Sequence, residues 1–171
     1  MTKFMTRIYL VKALFLYMCI TSNVALASIS MIVGGSYSKH MKEILAVTHF
    51  LQDNGITVLS TKEGVTEKTP HGKFVFLASD RIKVARLAQD SFFAQIRQSA
   101  AHIVVNVNGY LGLSSVMEIG FSIANGITIY SVCPVRDATI SLYTRDIREL
   151  FPDFFEHFKQ NNKINCEAKK Y

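Results

Sequence analysis

The stretch "HIVVNVNGYLGLSSVMEIGFSIANGITIYSV", residues 102–132, decides the fold class. It opens on a run that is apolar on both faces, which is typical of a central strand in a parallel sheet. A helical pattern follows, ends at Asn125-Gly126 and gives way to a second β-branched run. Because a strand, a helix and a second strand in that order build parallel sheets, the stretch predicts an α/β domain with a mostly parallel sheet.

The same alternation covers the rest of the chain from residue 28 onward. The five predicted strands are 30–35, 55–60, 74–79, 102–108 and 127–132. The predicted helices are 38–55 with Ser38 as its N-cap, 80–97, the segment around Glu118, and 144–160, interrupted near Pro152. Ligands of parallel sheets bind beyond the carboxyl ends of the strands. We therefore expect the ligand at the loops "GGSYS" and "NGYLGLSS", after the first and fourth strands.

The first thirty residues have a basic start, an apolar centre and a small-residue "ALA" at 25–27. These are the parts of a secretory signal peptide. If Met31 is the start instead, they are a spurious in-frame extension. Their apolar run is shorter than the roughly 20 residues of a membrane-spanning helix.

Three segments follow from this pattern: a signal-peptide-like or spurious segment over 1–27, the α/β domain over 28–160 and a polar tail over 161–171. A true signal peptide predicts an exported protein, and a start at Met31 predicts a cytoplasmic one. Neither alternative predicts a stable membrane span in the mature domain.

Charge and cysteine content exclude two classes of partner. The chain has a formal net charge of +6, half of it from the first thirty residues, and no basic tract interleaved with aromatic residues. We therefore expect no nucleic-acid partner. Cys19, Cys133 and Cys166 have neither metal-ligand spacing nor the pattern of a disulfide framework. We expect no metal site, and Cys133 is predicted to be a buried thiol.

Glu118 is the one acid between residues 108 and 126, and two interpretations of it stay open. In the first, Ser115 and Glu118 form a capping box, in which each side chain bonds the other residue's backbone N–H at the start of a helix. In the second, Glu118 lies just beyond the central strand, beside a helix N-terminus. There it attacks or stabilises a sugar carbon that is losing its leaving group.

The segment "IRQSAAHIVVNVNGYLGLSSVMEIGFSIANGITIYSV" resembles the signature of the nucleoside 2-deoxyribosyltransferase-like superfamily. In that group a strand leads through a glycine-containing loop to "E-[IL]-G-x-A" and then "G-K-P-[IV]". "MIVGGSYSKH" is similar to the group's opening strand and "G-S" turn, and "FVFLASDRIK" resembles a segment of its less-studied members. The resemblance covers most of residues 31–132, and E-I-G is its most specific part.

The resemblance implies a flavodoxin-like (Rossmann-like) three-layer sandwich with a mostly parallel five-stranded sheet. It also implies a purine or pyrimidine N-glycosidic substrate, and a glutamate nucleophile at Glu118 that forms a glycosyl-enzyme intermediate. No metal or redox cofactor is implied. A homo-oligomer is possible, because this superfamily often completes its sites that way, and the aromatic cluster "LFPDFFEHF" is either an oligomer contact or the apolar face of the last helix.

The predicted site combines the two loops with the helix before the fourth strand. Glu118 and Asp90 are the predicted catalytic residues, with Asp90 as general acid. The predicted substrate-binding residues are Gly35, Ser36, Tyr37, Asn108, Tyr110, Gly112, Ser114 and Ser115. The serines and the helix N-termini suit a 5′-phosphate, and the tyrosines suit stacking on a base or packing at the rim. We expect a nucleoside or a nucleoside 5′-monophosphate as the small-molecule partner.

The chain departs from the resembled family at its other acidic positions. Gly112 and Phe92 stand where the family carries aspartates. Ala101-His102 stands where the family's fourth strand begins with the pair "a-D", so a third aspartate is also missing. Asp90 and His102 are the candidates to replace the missing acid. These departures favour an alternative function, a non-catalytic nucleotide-binding module. Cleavage of NAD or ADP-ribose, by analogy with Toll/interleukin-1 receptor domains, ranks last.

Overall fold

The computed structural model describes residues 29–60, 67–68, 74–76, 83–159, 164 and 166. The signal-peptide-like segment 1–27 lies outside the described residues, as does most of the predicted tail 161–171.

The domain consists of short strands and helices that alternate along the chain. The strands are β1 (Ser30–Gly35), β2 (Thr57–Val58), β3 (Glu67–Lys68), β4 (Val75–Phe76), β5 (Ala101–Val105), β6 (Thr128–Ser131) and β7 (Thr144–Asp146). The helices are α1 (Tyr37–Asp53), α2 (Ala85–Gln98), α3 (Leu113–Ala124), α4 (Ala138–Ser141) and α5 (Phe154–Lys159), with 3₁₀ turns at Val107–Gly109 and Ile147–Glu149.

Five of the strands form one sheet in the order β2-β1-β5-β6-β7, and every neighbouring pair is parallel. This order is that of flavodoxin-like doubly wound folds, in which the connection reverses direction between the first strand and its central neighbour. Here that switch point lies between β1 and β5. The predicted α/β fold with a parallel five-stranded sheet is confirmed.

The fifth place in the sheet is filled by a different segment from the predicted one. Within the predicted strand 74–79, β4 pairs antiparallel with β3 in a separate two-stranded sheet. The fifth strand is instead β7, at the start of the segment 144–160, which was predicted to be helical. Its "TRD" pairs with Ile129–Ser131 of β6. Pairing with a neighbouring strand overrides the local helical pattern here, as it often does at sheet edges.

Helices cover both faces of the sheet, which gives three layers. On one face, α1 and α5 pack on alternate residues of the central strands, such as Val33 and Ile103. The aromatic cluster predicted as a helix face or an oligomer contact lies here, with Phe154 fully buried against Phe50. The inward-facing interpretation is therefore correct for this part of the cluster, and a homo-oligomer stays a prediction.

The opposite face is covered by α2 and α3. Its apolar residues form two smaller clusters, around Ile32 with Ile96 and around Val104 with Ile119. Between them this face also buries three polar side chains, His102, Glu118 and Ser122. The two faces of one sheet therefore differ in chemistry.

Cys133 forms a disulfide with Cys166, which corrects the prediction of a free buried thiol and of no disulfide framework. The bond links the end of β6 to the tail, 33 residues further along the chain. Ile164 and Cys166 also pack against the buried cluster of the α1/α5 face. This part of the predicted polar tail is therefore attached to the domain.

In the described ranges, none of the helices is both long enough and apolar enough to cross a lipid bilayer.

Candidate active site at the switch point of the sheet

A cleft of about 410 Å³ opens beyond the carboxyl ends of β1 and β5. Its size falls within the usual range for small-molecule sites, and its position is where doubly wound sheets bind ligands. Of the ten predicted site residues, all except Asp90 and Asn108 line it. The structure therefore brings the two loops chosen from the sequence together around one space.

Glu118 lies on α3 in the wall of the cleft, with only 4% of its surface exposed. Its Oε1 accepts a hydrogen bond of 3.2 Å from the side-chain amide of Gln89 on α2, whereas Oε2 has no hydrogen-bond partner among the described residues. Burial raises the pKa of Glu118 to about 7, and the Gln89 hydrogen bond partly opposes this shift. The carboxyl group therefore changes charge near neutral pH.

The capping box predicted for Ser115 and Glu118 does not form. Helix α3 begins at Leu113, with Gly112 as its N-cap in an extended conformation, so Ser115 already lies inside the first turn. No side chain makes a cap hydrogen bond at this end. Because the helix starts earlier than the box requires, the Glu118 side chain is directed at α2 instead of back to its own helix start.

Two helix N-termini meet at the cleft. α1 begins after Ser36, and not at the predicted cap Ser38, and like α3 it has no side-chain cap. A Cβ placed on Gly112 would lie 3.9 Å from the Oγ atoms of both Ser36 and Ser115, so the two helix starts are adjacent. Uncapped N–H groups and the positive ends of two helix dipoles favour an anionic group at this end of the cleft.

Tyr110 forms the rim of the cleft and is held from the α1 side. The Lys39 ammonium lies 3.7 Å from the centre of its ring, and the His40 ring meets it edge-on at 5.7 Å. Tyr37 is placed differently, because its hydroxyl donates to the carbonyl of Val33 at 3.0 Å. Tyr110 therefore presents an aromatic wall beside a cation, and Tyr37 is tied to the end of β1.

Asp90, the predicted general acid, lies outside the cleft. It is exposed on α2 and faces Arg86 at 3.7 Å. Its neighbours Gln89 and Phe92 line the cleft in its place. The reason is geometric: one residue along a helix is a rotation of about 100°. Phe92 and Ile96 are apolar residues at helical spacing and share the buried face of α2, so Gln89, three positions before Phe92, is the residue that this spacing could have identified.

Asn108 is also absent from the cleft wall. It belongs to the 3₁₀ turn after β5, where it adopts a left-handed conformation with φ of 54°. Asparagine is among the residues that tolerate this region, so its position is explained by the turn. Asn106, at the end of β5, is fully buried and hydrogen bonds both the N–H and the carbonyl of Cys133.

His102 lies behind Glu118 on β5 and was not placed in the predicted site, although it was a candidate replacement acid. It is buried on the α2/α3 face, and burial lowers its pKa to about 3. Its Nε2 has no hydrogen-bond partner, like the Glu118 Oε2. The sequence contains little to mark His102 as a site residue, since a single histidine in an apolar strand is more often a structural residue than a functional one.

Gly34 and Gly35 make this arrangement possible at the end of β1. A Cβ on Gly34 would lie 2.6 Å from His102 Nε2 and 3.3 Å from Glu118 Oε2. Gly35 has a φ of +154°, and a Cβ there would meet the Val105 carbonyl oxygen at 2.7 Å. Both positions therefore require glycine, the first for space and the second for space and conformation.

In the part of the chain that the structure describes, no three His, Cys, Asp or Glu side chains come close enough together to hold a metal ion. No protein-family model, curated protein or solved structure matches the chain. The functional argument therefore rests on the residues and geometry of the cleft.

Proposed function

We propose that this protein cleaves or transfers the N-glycosidic bond of a nucleoside or nucleoside 5′-monophosphate, with Glu118 as the nucleophile. The observation that carries the proposal is the Glu118 carboxyl group: it is buried at a switch-point cleft, and one of its oxygens has no hydrogen-bond partner. Such a group is costly to bury, and active sites are where this cost recurs. The family resemblance of the E-I-G segment supports the same role.

In the proposed reaction the ionised Glu118 attacks the anomeric carbon of the sugar. The bond between that carbon and the base nitrogen breaks, its electron pair leaves with the base, and a glycosyl ester forms on Glu118. Water or a second base then attacks the anomeric carbon and loses a proton, which the departed base anion takes up, and the product is the free sugar or a new nucleoside. Either step releases the Glu118 carboxylate, so two displacements retain the configuration at the sugar carbon.

The proposed substrate orientation follows from the charge of the cleft walls. The adjacent N-termini of α1 and α3, with the hydroxyls of Ser36 and Ser115, would receive a 5′-phosphate or sugar hydroxyls. Tyr110 would stack on the base at the rim. The Lys39 ammonium over that ring adds positive charge on the same side. These features favour a 5′-monophosphate over the uncharged nucleoside.

Base release measured by chromatography tests the proposal. The purified protein is incubated with nucleosides, their 5′-monophosphates and NAD, alongside two variants. We expect Glu118→Gln, which keeps the side-chain shape, to lower turnover by at least about 1,000-fold because it removes the nucleophile. Asp90→Asn is the matched control and should retain full activity, since Asp90 lies outside the cleft. Equal turnover by the wild type and Glu118→Gln would contradict the proposal.

A second candidate function is a nucleotide-binding module without catalysis. Among the described lining residues, Glu118 is the one acidic side chain, so the described part of the cleft supplies no second carboxyl group for the departing base. In this case nucleotides would bind and no base would be released. Calorimetry on the same panel distinguishes the two: affinity that is unchanged by Glu118→Gln, with no turnover by the wild type, is the result for a binding module.

The disulfide supports an extracytoplasmic setting for this function. Structural disulfides persist in oxidising compartments and are rare in the cytosol. The Cys133–Cys166 bond therefore favours the signal-peptide interpretation of residues 1–27 over a start at Met31. Extracellular nucleosides and nucleotides would then be the available substrates. Cell fractionation, with mass spectrometry of the mature N-terminus, tests this setting.

A further inference from the structure

The buried polar groups behind Glu118 form a chain of hydrogen bonds. Ser122, one turn after Glu118 on α3, donates its hydroxyl proton to the Glu118 main-chain carbonyl at 3.0 Å. The same hydroxyl oxygen lies 2.9 Å from Nδ1 of His102. A serine hydroxyl carries one proton, and when that proton is donated to the Glu118 carbonyl, the imidazole is the donor in the contact with Nδ1.

This contact fixes the tautomer of His102. With the proton on Nδ1 and the ring neutral, Nε2 carries a lone pair and accepts hydrogen bonds. Nε2 is buried and has no partner of its own. Buried polar atoms are almost always hydrogen bonded, so we expect a hydrogen-bond donor close to Nε2.

The atom positioned to supply that donor is Oε2 of Glu118. Among the described residues it is the second unpartnered polar atom on this face, and both atoms border the space beside Gly34, within 3.3 Å of where its Cβ would stand. Oε2 can donate only when Glu118 is protonated. The structure shows no direct hydrogen bond between the two atoms, so a neutral His102 and a protonated Glu118 complement each other through one water.

The other described groups packed against Glu118 carry no charge. Helix α2 contributes Gln89 and Phe92, and β1 contributes Gly34. On β5 the titratable neighbour is His102 itself, and α1 brings to the cleft the phenol of Tyr37, which is bonded to Val33. Among the described residues, the Gln89 amide thus favours the ionised form of Glu118, and His102 is the neighbouring acceptor that favours the protonated form.

We propose that His102 is a positioning residue for Glu118: Ser122 holds it in the Nδ1–H tautomer, and its Nε2 accepts, through one bridging water, the hydrogen bond of the protonated Glu118 carboxyl group and so sets the pH at which Glu118 ionises. The catalytic consequence rests on the proposed function. His102 itself is not among the residues that line the described part of the cleft. Its effect reaches the reaction through the charge of Glu118.

Nuclear magnetic resonance tests the pairing without reference to activity. In the wild type, the ¹⁵N shifts of His102 should show the Nδ1–H tautomer, and the ¹³C shift of the Glu118 carboxyl group reports its pKa. In His102→Phe the ring keeps its bulk and loses the acceptor, so we expect the pKa of Glu118 to fall by about one unit, the equivalent of one hydrogen bond. His102→Gln restores an oxygen acceptor and should recover most of the shift.

Two results would overturn the pairing: an Nε2–H tautomer in the wild type, or a Glu118 pKa that is the same in the wild type and in His102→Phe. Ser122→Ala gives a second test if His102→Phe does not fold. It removes the group that fixes the tautomer, so it should lower the Glu118 pKa in the same direction.

The pH profile of base release then connects the pairing to catalysis. The rising limb, where Glu118 ionises, should move to lower pH in His102→Phe by the same amount as the measured pKa. A profile that stays in place while the pKa moves would overturn the catalytic consequence. If the wild type releases no base from any substrate, the proposed function fails, and the resonance measurements still decide whether His102 controls the charge of Glu118.

Discussion

The two faces of the central sheet serve different purposes although the same strands build both. On the α1/α5 face the buried cluster is apolar and aromatic, and the Cys133–Cys166 disulfide closes its edge. On the α2/α3 face the sheet buries His102 and Glu118, each with a polar atom that has no partner. Unpartnered buried groups reduce stability. The comparison indicates that one face supplies the stability that the other needs in order to hold a reactive carboxyl group.

Truncating the centre of the aromatic cluster should have the largest effect on stability. Phe154 is fully buried, with its ring centre 5.1 Å from that of Phe50 and 4.8 Å from that of Phe158. We expect Phe154→Ala to lower the free energy of unfolding by about 3–5 kcal/mol, because it loses apolar burial and leaves a cavity. Chemical denaturation measures this loss.

The partly buried Phe155 is the control for that variant, and Phe155→Ala should lose clearly less. Base release by Phe154→Ala, measured well below its melting temperature, should match the wild type, since the cluster lies across the sheet from Glu118. Equal losses in the two variants would show that stability is not concentrated at this cluster.

Opening the disulfide should have the next largest effect. A bond that spans 33 residues restricts the unfolded chain, and the chain-entropy argument gives about 3–4 kcal/mol for a loop of this length. We expect Cys166→Ala to lose about this much in denaturation. A reductant should destabilise the wild type by a similar amount and leave Cys166→Ala unaffected. A reductant that has no effect on the wild type would contradict a structural role for the bond.

The difference between the faces also explains what the sequence could predict. The central strands, α1, α3 and the two ligand loops follow local patterns of apolar and glycine residues, so their positions were predictable. β7 depends on pairing with β6, and the disulfide depends on which of three cysteines meet in space. Asp90 and Gln89 are adjacent on α2 and therefore point about 100° apart. Because the ends of a predicted helix are defined only to within one or two residues, the sequence could not decide which of the two faces the cleft. His102 carries no pattern at all, because its role depends on a carboxyl group from another element.

The α2/α3 face should make stability depend on pH through Glu118. Its folded-state pKa of about 7 is above the usual 4.5, so the folded protein holds this proton more tightly than the unfolded chain. The associated stability is fully present below pH 4.5 and is lost as the pH rises through 7. A shift of this size corresponds to roughly 3 kcal/mol.

Denaturation at a series of pH values checks this dependence. The difference in unfolding free energy between the wild type and Glu118→Gln cancels the contributions of other acids. Between pH 4.5 and pH 8 we expect the unfolding free energy of the wild type to fall by roughly 3 kcal/mol relative to that of Glu118→Gln. A flat difference would mean that Glu118 ionises in the folded protein as it does in the unfolded chain.

A single methyl group beside the unpartnered atoms should have the smallest effect, and it tests the α2/α3 face most locally. The Cβ of Gly34→Ala would lie 2.6 Å from His102 Nε2, so the ring or the strand must move. We expect a loss of about 1–3 kcal/mol in unfolding free energy, as for other overpacked sites. Gly120→Ala is the matched control, because nothing lies within 4 Å of its Cβ, and in a helix it should add about 0.5–1 kcal/mol. If Gly34→Ala is as stable as the wild type, the space beside His102 and Glu118 accommodates a methyl group without strain, and the close packing of this face is contradicted.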